Sequence, residues 1–391
     1  MRSAPLRILL VAPSYFPAIY WGGPVYSIYG LCNALAMIPG VNLRVLTTDS
    51  AGPELSDSVP VKGFPMRYPP GYEVYFCRRR WGASFSPELI LRLWVMIRWA
   101  DVIQLTAVYS SPTIPTLLFA RLLGKQVVWS PLGALQRWEG ATRPAAKAVW
   151  ERVCNALIAP GACVLHVTSL EEAEESSARI TKATVERIPH GVEFPESLLE
   201  RAWLPGGALR LLFIGRLHPK KGIENLFKAL KELNDAAISL AVCGTGDEAY
   251  ARGLRQLARD LGLERQVSFL GHVDGEAKMK VFMSADACVV PSFTENFGMV
   301  VVEALAHGVP VVASHGTPWA ELVERQCGLW VENDPESLKK AILALRGRDL
   351  ADMGARGRNW MKREFSWDAI SQKMLCVYRR MARADGAAGT L

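Results

Sequence analysis

Ala287-Cys-Val-Val-Pro291-Ser-Phe-Thr-Glu295-Asn-Phe-Gly298-Met-Val-Val-Val-Glu303-Ala-Leu-Ala-His307-Gly308-Val-Pro310 joins a short apolar run to a loop and then to a helix. Ala287–Val290 has no charged or hydrogen-bonding side chain, the pattern of a strand covered on both faces, as in a parallel sheet. The helix is expected to start near Phe297; Gly308 ends it and Pro310 keeps it from resuming. The carboxyl end of a buried strand therefore meets a helix amino terminus, where amides lacking intrahelical partners and the helix dipole favour an anion such as phosphate. Gly298 lets the backbone come close to that anion. Glu295 precedes the helix and Glu303 lies about one and a half turns inside it. The two carboxylates can reach different parts of one ligand, each accepting from paired hydroxyls.

The same alternation extends outward in both directions. Arg7–Ala12, Leu43–Thr47, Val102–Leu105, Gln126–Trp129, Leu211–Ile214, Leu240–Cys243 and Val309–Ala313 read as further short buried strands between helical stretches. The fold class is α/β, with two doubly wound parallel sheets expected. A length of 391 residues suits two domains. Pro189, Pro195, Pro205 and Gly206-Gly207 mark the seam, giving domains 1–190 and 208–365, a linker 191–207 and a last helix 366–385, with a frayed tail over Gly386–Leu391.

Half the residues are hydrophobic and 21% are charged, which excludes a disordered chain. No apolar run reaches the ~18–20 residues that cross a bilayer. The run Leu6–Ala12 is followed by Pro13, Pro17 and Tyr20-Trp21, so it reads as a first strand and not a signal peptide. Eight cysteines without a C-x-x-C pair suit reduced, buried thiols in a cytoplasm better than a disulfide frame or a zinc site. Through Val153 there are sixteen Lys and Arg against eight Asp and Glu, net +8, which leaves about −1 of the total +7 for the remainder. The basic first half suits anionic lipid, an anionic acceptor or nucleic acid, or plain solubility.

A second strand–loop–helix unit is Phe213-Ile-Gly215-Arg216-Leu-His218-Pro-Lys220-Lys221-Gly222, with a helix over Ile223–Leu233. Arg216 and Lys221 are expected to project from strand-end positions toward the crevice served by Glu295. Two fixed cations opposite a helix amino terminus make a diphosphate site and could neutralise charge on a departing diphosphate. Near the start of the chain, Trp21-Gly22-Gly23-Pro24 after the first strand suits a loop whose backbone approaches a ligand; a Gly-Gly turn with no ligand is the plain alternative.

Taken together these residues resemble the retaining nucleotide-sugar glycosyltransferases of family 4. The resemblance lies in the E-x7-E pair Glu295/Glu303, the G-R-L-H-P-K-K-G loop, the G-G-P loop and Ile188-Pro189-His190-Gly191-Val192, and is strongest from Leu209 to Glu332. It implies the GT-B architecture, two Rossmann-like domains facing across a cleft, and transfer of a hexose-type sugar from a nucleotide-diphosphate sugar to a saccharide or lipid-linked saccharide, as in bacterial surface polysaccharide synthesis. It assigns the donor diphosphate to Arg216 and Lys221, aided by backbone N–H groups of Gly298, Met299 and Val300, and counts Phe297 and Gly244 among the donor-binding residues. Glu303 would take the ribose hydroxyls and Glu295 the donor sugar, while Gly22 and Gly23 would approach the diphosphate. No cofactor is implied and no metal, the sequence having no D-x-D. The location implied is cytoplasmic, at the inner face of the plasma membrane where the acceptor is lipid-linked.

The sequence departs from the family in two places. All six histidines lie beyond residue 165, so the first-lobe histidine that many relatives place near the reacting sugar is absent, and Leu132 stands where relatives often show arginine in S-P-R-G-M-L. Arg137 and Trp138 are the candidates to supply acceptor contacts, within first-lobe loops expected at Tyr72–Phe85, Val108–Pro112 and Leu132–Arg143.

Rival readings rest on single features. Gly244-Thr-Gly246-Asp-Glu-Ala249 has the dinucleotide spacing G-x-G-x-x-A, but no carboxylate follows the next strand until Asp274, which disfavours a dehydrogenase; its glycines are expected to shape a loop near the donor nucleotide. A sugar-nucleotide epimerase and a non-catalytic nucleotide-sugar-binding subunit share the same motifs. Arg78-Arg79-Arg80-Trp81 is too short, and lacks the recognition module, for a nucleic-acid site. It precedes Phe85–Trp99, where Leu89, Leu93, Met96 and Ile97 alternate with Arg92 and Arg98 beside Trp94 and Trp99. This segment reads either as a helix docking on an anionic membrane or as one packed on the sheet with a polar rim.

Overall fold

A computed structural model describes residues 4–61, 63–136, 143–195, 203 and 208–388. Two compact units divide the chain, Met1–Gly191 with Trp367–Leu391, and Val192–Ser366.

The first unit holds strands β1 (Leu6–Val11), β2 (Val41–Thr48), β3 (Met66–Tyr68), β4 (Tyr72–Cys77), β5 (Val102–Thr106), β6 (Gln126–Ser130), β7 (Cys163–Val167) and β8 (Thr184–Arg187). Their order is β3-β4-β2-β1-β5-β6-β7-β8, parallel except for the edge pair β3–β4. In β1, Ile8 and Leu10 enter one core and Leu9 and Val11 the other, which is why Ile8–Val11 are all apolar. Helix α1 (Gly23–Ala36) covers the first face; α2 (Pro87–Trp99), α3 (Thr113–Leu122) and α4 (Pro144–Leu157) cover the second, and α5 (Leu170–Arg179) packs on β7 and β8. Ser86 caps α2 by accepting from the Leu89 amide at 3.3 Å.

The second unit is wholly parallel. Strands β9 (Leu209–Ile214), β10 (Ile238–Cys243), β11 (Val267–Gly271), β12 (Ala287–Val290), β13 (Val311–Ser314) and β14 (Gly328–Val331) lie in the order β11-β10-β9-β12-β13-β14. Helices α6 (Ile223–Leu233), α7 (Glu248–Asp260), α8 (Gly275–Ser284), α9 (Met299–Ala306), α10 (Glu321–Glu324), α11 (Pro335–Leu345) and α12 (Leu350–Glu364) connect them. Again alternate residues of one strand feed two cores, Leu211 and Phe213 on one side, Leu212 and Ile214 on the other. The strand order reverses between β9 and β12, whose connections leave in opposite directions and open a crevice at their carboxyl ends.

After Ser366 the chain rejoins the first unit as α13 (Trp367–Ala388). The Trp367 ring fills the space where a side chain on Gly30 or Gly191 would stand, and the Tyr378 hydroxyl donates to Gln104 Oε1 at 2.9 Å. The helix continues to Ala388, beyond the sequence-based end at residue 385; residues 389–391 of the expected frayed tail lie outside the described residues.

Three local expectations change. Tyr72–Cys77 is a strand and not the start of an acceptor loop, its buried Tyr72, Val74 and Phe76 alternating as a half-covered strand requires. Leu89, Leu93, Met96 and Ile97, the residues whose alternation suggested docking, are all buried against the sheet. Arg79 is buried too: its guanidinium donates to the carbonyls of Gly52, Glu54 and Asp57 and so orders the chain between β2 and β3.

Candidate functional site

The two motifs meet at the carboxyl ends of β9 and β12. Each leaves its strand into a loop, and the loops bond directly, the Phe293 amide donating to the Lys220 carbonyl at 2.8 Å. Gly222 makes the approach possible. It is left-handed at φ +63°, and a Cβ there would stand 2.1 Å from the Pro291 carbonyl oxygen. Pro219–Lys221 form one 3-10 turn, capped by His218 Nδ1, which accepts from the Lys220 amide at 3.2 Å.

That turn delivers Lys221 to Glu295. Their side chains form an ion pair, 15% and 10% exposed, and the Ser292 hydroxyl donates to the same Glu295 Oε1 at 2.8 Å. The Glu295 amide donates to the Gly316 carbonyl at 2.8 Å, fixing the loop from the β13 side. Burial pushes the Glu295 carboxyl upward, but the charges and hydrogen bonds of Lys221 and Ser292, with Lys220 beyond them, hold it below the ordinary range.

Lys220 and Ser292 are functional candidates that the sequence reading passed over. Burial, then the Lys221 charge, lowers the Lys220 ammonium, with Glu295 opposing and Arg216 adding to the fall. His218 is lowered by burial and then by Lys220, Arg216 and Lys221. Arg216 itself is exposed just beyond β9. Three cations act on one another around a single buried carboxylate, a local excess of positive charge that an anion would relieve.

Helix α9 begins beside this cluster, two residues later than expected. Gly298 is its N-cap at φ +78°, and Met299 and Val300 form its first, half-buried turn. Phe297 is 5% exposed and its ring packs with Trp319 and Phe365, while its carbonyl accepts the Trp319 indole N–H. Its side chain therefore belongs to the core beneath the loop. Glu303, further along α9, accepts from Lys278 Nζ of α8 at 2.6 Å. A lysine twenty-five residues upstream carries no sequence signal, so Lys278 was missed.

The G-x-G-x-x-A segment is explained by packing. A Cβ on Gly244 would lie 1.8 Å from the Gly215 carbonyl oxygen, and one on Gly246 2.0 Å from that of Leu217. These glycines let the strand-end loop of β10 lie against residues 215–217, where Leu217 N–H donates to the Thr245 carbonyl at 2.9 Å. Asp247 is an N-cap, accepting from the Tyr250 amide at 2.9 Å.

In the first unit, Gly22 is left-handed at φ +70° with open space where a Cβ would point, and Gly23 opens α1 beside Pro24. Leu132 is also left-handed, at φ +56°, and packs on the core under α1; the following Gly133 amide donates to Glu172 Oε1 at 2.7 Å. This unit does contain histidines. Buried His166 bonds Ser130 Oγ at 2.7 Å and the Ile188 carbonyl at 2.9 Å, and buried His190 lies edge-on to it. Arg137 and Trp138 fall outside the described residues.

Residues 200–360 match the family model described as Glycosyl transferases group 1. An uncharacterized glycosyltransferase of Methanocaldococcus jannaschii is 35% identical over 178 residues, 43% of this chain and 44% of that protein, so the match spans under half the length of the relative. Among solved structures, sucrose-phosphate synthase from Thermosynechococcus elongatus superposes with a TM-score of 0.72 at 22% identity, covering 97% of this chain and all of that one. The Anabaena protein HepE bound to UDP-glucose gives 0.69 at 18% identity, covering 96% and 100%. At these identities the structural likeness speaks to the fold, which is the GT-B class of two Rossmann-like domains.

Proposed function

We infer, from a chain whose residues 200–360 match the family model of the group 1 glycosyl transferases, a transferase that moves a hexose-type sugar from a nucleotide-diphosphate sugar to a saccharide or lipid-linked saccharide. The observation that carries this is the excess of cations, Arg216, Lys220 and Lys221, around the single carboxylate Glu295 at the ends of β9 and β12. Such a cluster suits a diphosphate, and the HepE complex shows a neighbour of the same fold that binds UDP-glucose.

In this reading Arg216 and Lys221 hold the diphosphate and stabilise its charge as the bond from the anomeric carbon to the phosphate oxygen breaks. The amides of Gly298, Met299 and Val300 add to that stabilisation through the helix terminus. Glu295 Oε1 is held by Lys221 and Ser292, leaving Oε2 for a donor-sugar hydroxyl. Glu303, steadied by Lys278, takes the ribose hydroxyls, and the Gly22-Gly23 backbone is assigned to ligand approach. The acceptor oxygen bonds to the anomeric carbon in place of the diphosphate, its proton passing to the departing phosphate oxygen, with the anomeric configuration retained. The fixed cations serve the leaving group without a metal ion. A lipid-linked acceptor places the reaction at a bilayer, on its cytoplasmic side.

The test is a panel of nucleotide sugars screened for thermal stabilisation, followed by product analysis with the donor that stabilises best. Stabilisation without turnover on any saccharide would favour a binding subunit, and a changed sugar formed from donor alone would favour an epimerase.

A further inference from the structure

Helix α2 carries a second apolar stripe on the side away from the sheet. Leu91, Trp94, Val95 and Arg98 recur at i, i+3, i+4 and i+7, opposite the buried Leu89, Leu93, Met96 and Ile97. Leu91 is 77% exposed, Val95 68% and Trp94 39%. Helix α3 continues the surface: Trp94 meets Phe119 edge-on with ring centroids 5.6 Å apart, and α3 exposes Leu118 and Leu122 with Arg121 between them. On the other flank of α2 lies a groove of about 440 Å³ whose lining includes Leu91, Val95 and Trp99 together with Arg44, Arg92 and Glu88, Arg92 pairing with Glu88 at 3.1 Å and Arg44 with Glu73 at 3.2 Å. Arg44 stacks over Trp99 and Arg92 over Phe64, each at 4.2 Å, so both cations sit on aromatic faces at the groove's edge.

A helix that is apolar on both sides calls for a cover on its outer side. We propose that the α2–α3 ridge seats on a bilayer containing anionic phospholipid, Leu91, Trp94, Val95 and Leu122 entering the headgroup–acyl boundary and Arg98 and Arg121 meeting lipid phosphates. Charge selects this occupant. The first 153 residues carry net +8, so a second copy of the same unit would bring like charges together, whereas an anionic surface neutralises them. Aliphatic and Trp side chains flanked by arginine also match the chemistry of an interface, apolar below and anionic above. The proposal rests on the bilayer contact inferred above and gives that contact a surface.

The experiment is sedimentation of the full chain with vesicles of phosphatidylcholine alone and of phosphatidylcholine mixed with phosphatidylglycerol. Binding to the mixed vesicles only, weakened by salt, is the expected result. Leu91→Ser with Val95→Ser, and separately Arg98→Glu, should each lower the bound fraction roughly tenfold. All three positions are exposed, and melting followed by circular dichroism reports the folding of each variant without any donor. Failure of the transferase reading therefore leaves this result untouched. Equal binding to both vesicle types, undiminished binding by the variants, or a dimer that Val95→Ser dissolves would each overturn the proposal.

Discussion

The Lys278 ammonium lies 2.6 Å from Glu303 Oε1 and so ties α8 to the helix that starts at the cation cluster. The pair is 31% and 22% exposed, open enough for a ligand hydroxyl to reach the carboxylate. Glu303→Gln keeps the shape and removes the charge. Affinity for the free nucleoside diphosphate should fall roughly tenfold, and Lys278→Ala should weaken it by a smaller factor. Calorimetry measures both; unchanged affinity in the Glu303 variant removes the ribose assignment.

Lys221→Ala and Arg216→Ala should each cost transfer at least ~2 kcal/mol of transition-state stabilisation, about thirtyfold in rate. Steady-state kinetics with the best donor decides. Rates near wild type in both would refute the diphosphate assignment.

Gly222→Ala should destabilise the second unit by more than ~2 kcal/mol, because φ is +63° and the added methyl would meet the Pro291 carbonyl. Urea unfolding reads the loss. An unchanged midpoint would mean that the two loops do not pack as described.

Burial holds His166 down to about 4, and burial with repulsion from His166 holds His190 down to about 3. An unfolded histidine titrates at ~6.5. Below that value the unfolded chain takes up protons that the folded one refuses, so stability is fully present above about pH 6.5 and is lost as pH falls toward the folded values. Between about pH 7 and about pH 5 the wild type should lose about 2 kcal/mol more than His166→Gln. Parallel pH profiles would show that His166 is protonated in the folded protein.

The proposed assignment of fixed cations to the leaving group predicts that transfer proceeds at an unchanged rate after treatment with EDTA. Activity that EDTA abolishes and magnesium restores would replace this arrangement with a metal-bridged diphosphate.

The segment Ala287–Pro310 shows how far a sequence reaches. Its apolar run can only be a doubly covered strand, Gly298 and Gly308 bound its helix, and the eight-residue step from Glu295 to Glu303 follows from the spacing. Periodicity also identified α6 and the start of α13. It could not say which side of α2 faces the sheet, because both sides are apolar. It missed β4 as a strand because Tyr72–Cys77 is short and follows a turn.

What the sequence by itself determined is the local grammar: which runs are buried strands, where helices begin, and which residue types could hold a diphosphate. Burial and backbone geometry act over a few neighbouring residues, so they are written in local order. Only the tertiary structure paired Lys221 with Glu295 across seventy-four residues and Lys278 with Glu303 across twenty-five. It also showed that Gly244 and Gly246 serve packing and that Leu91 and Val95 face outward. Those outcomes depend on β9 lying beside β12 and on which face each sheet covers, and strand order is set by the packing of the whole unit, not by any one segment.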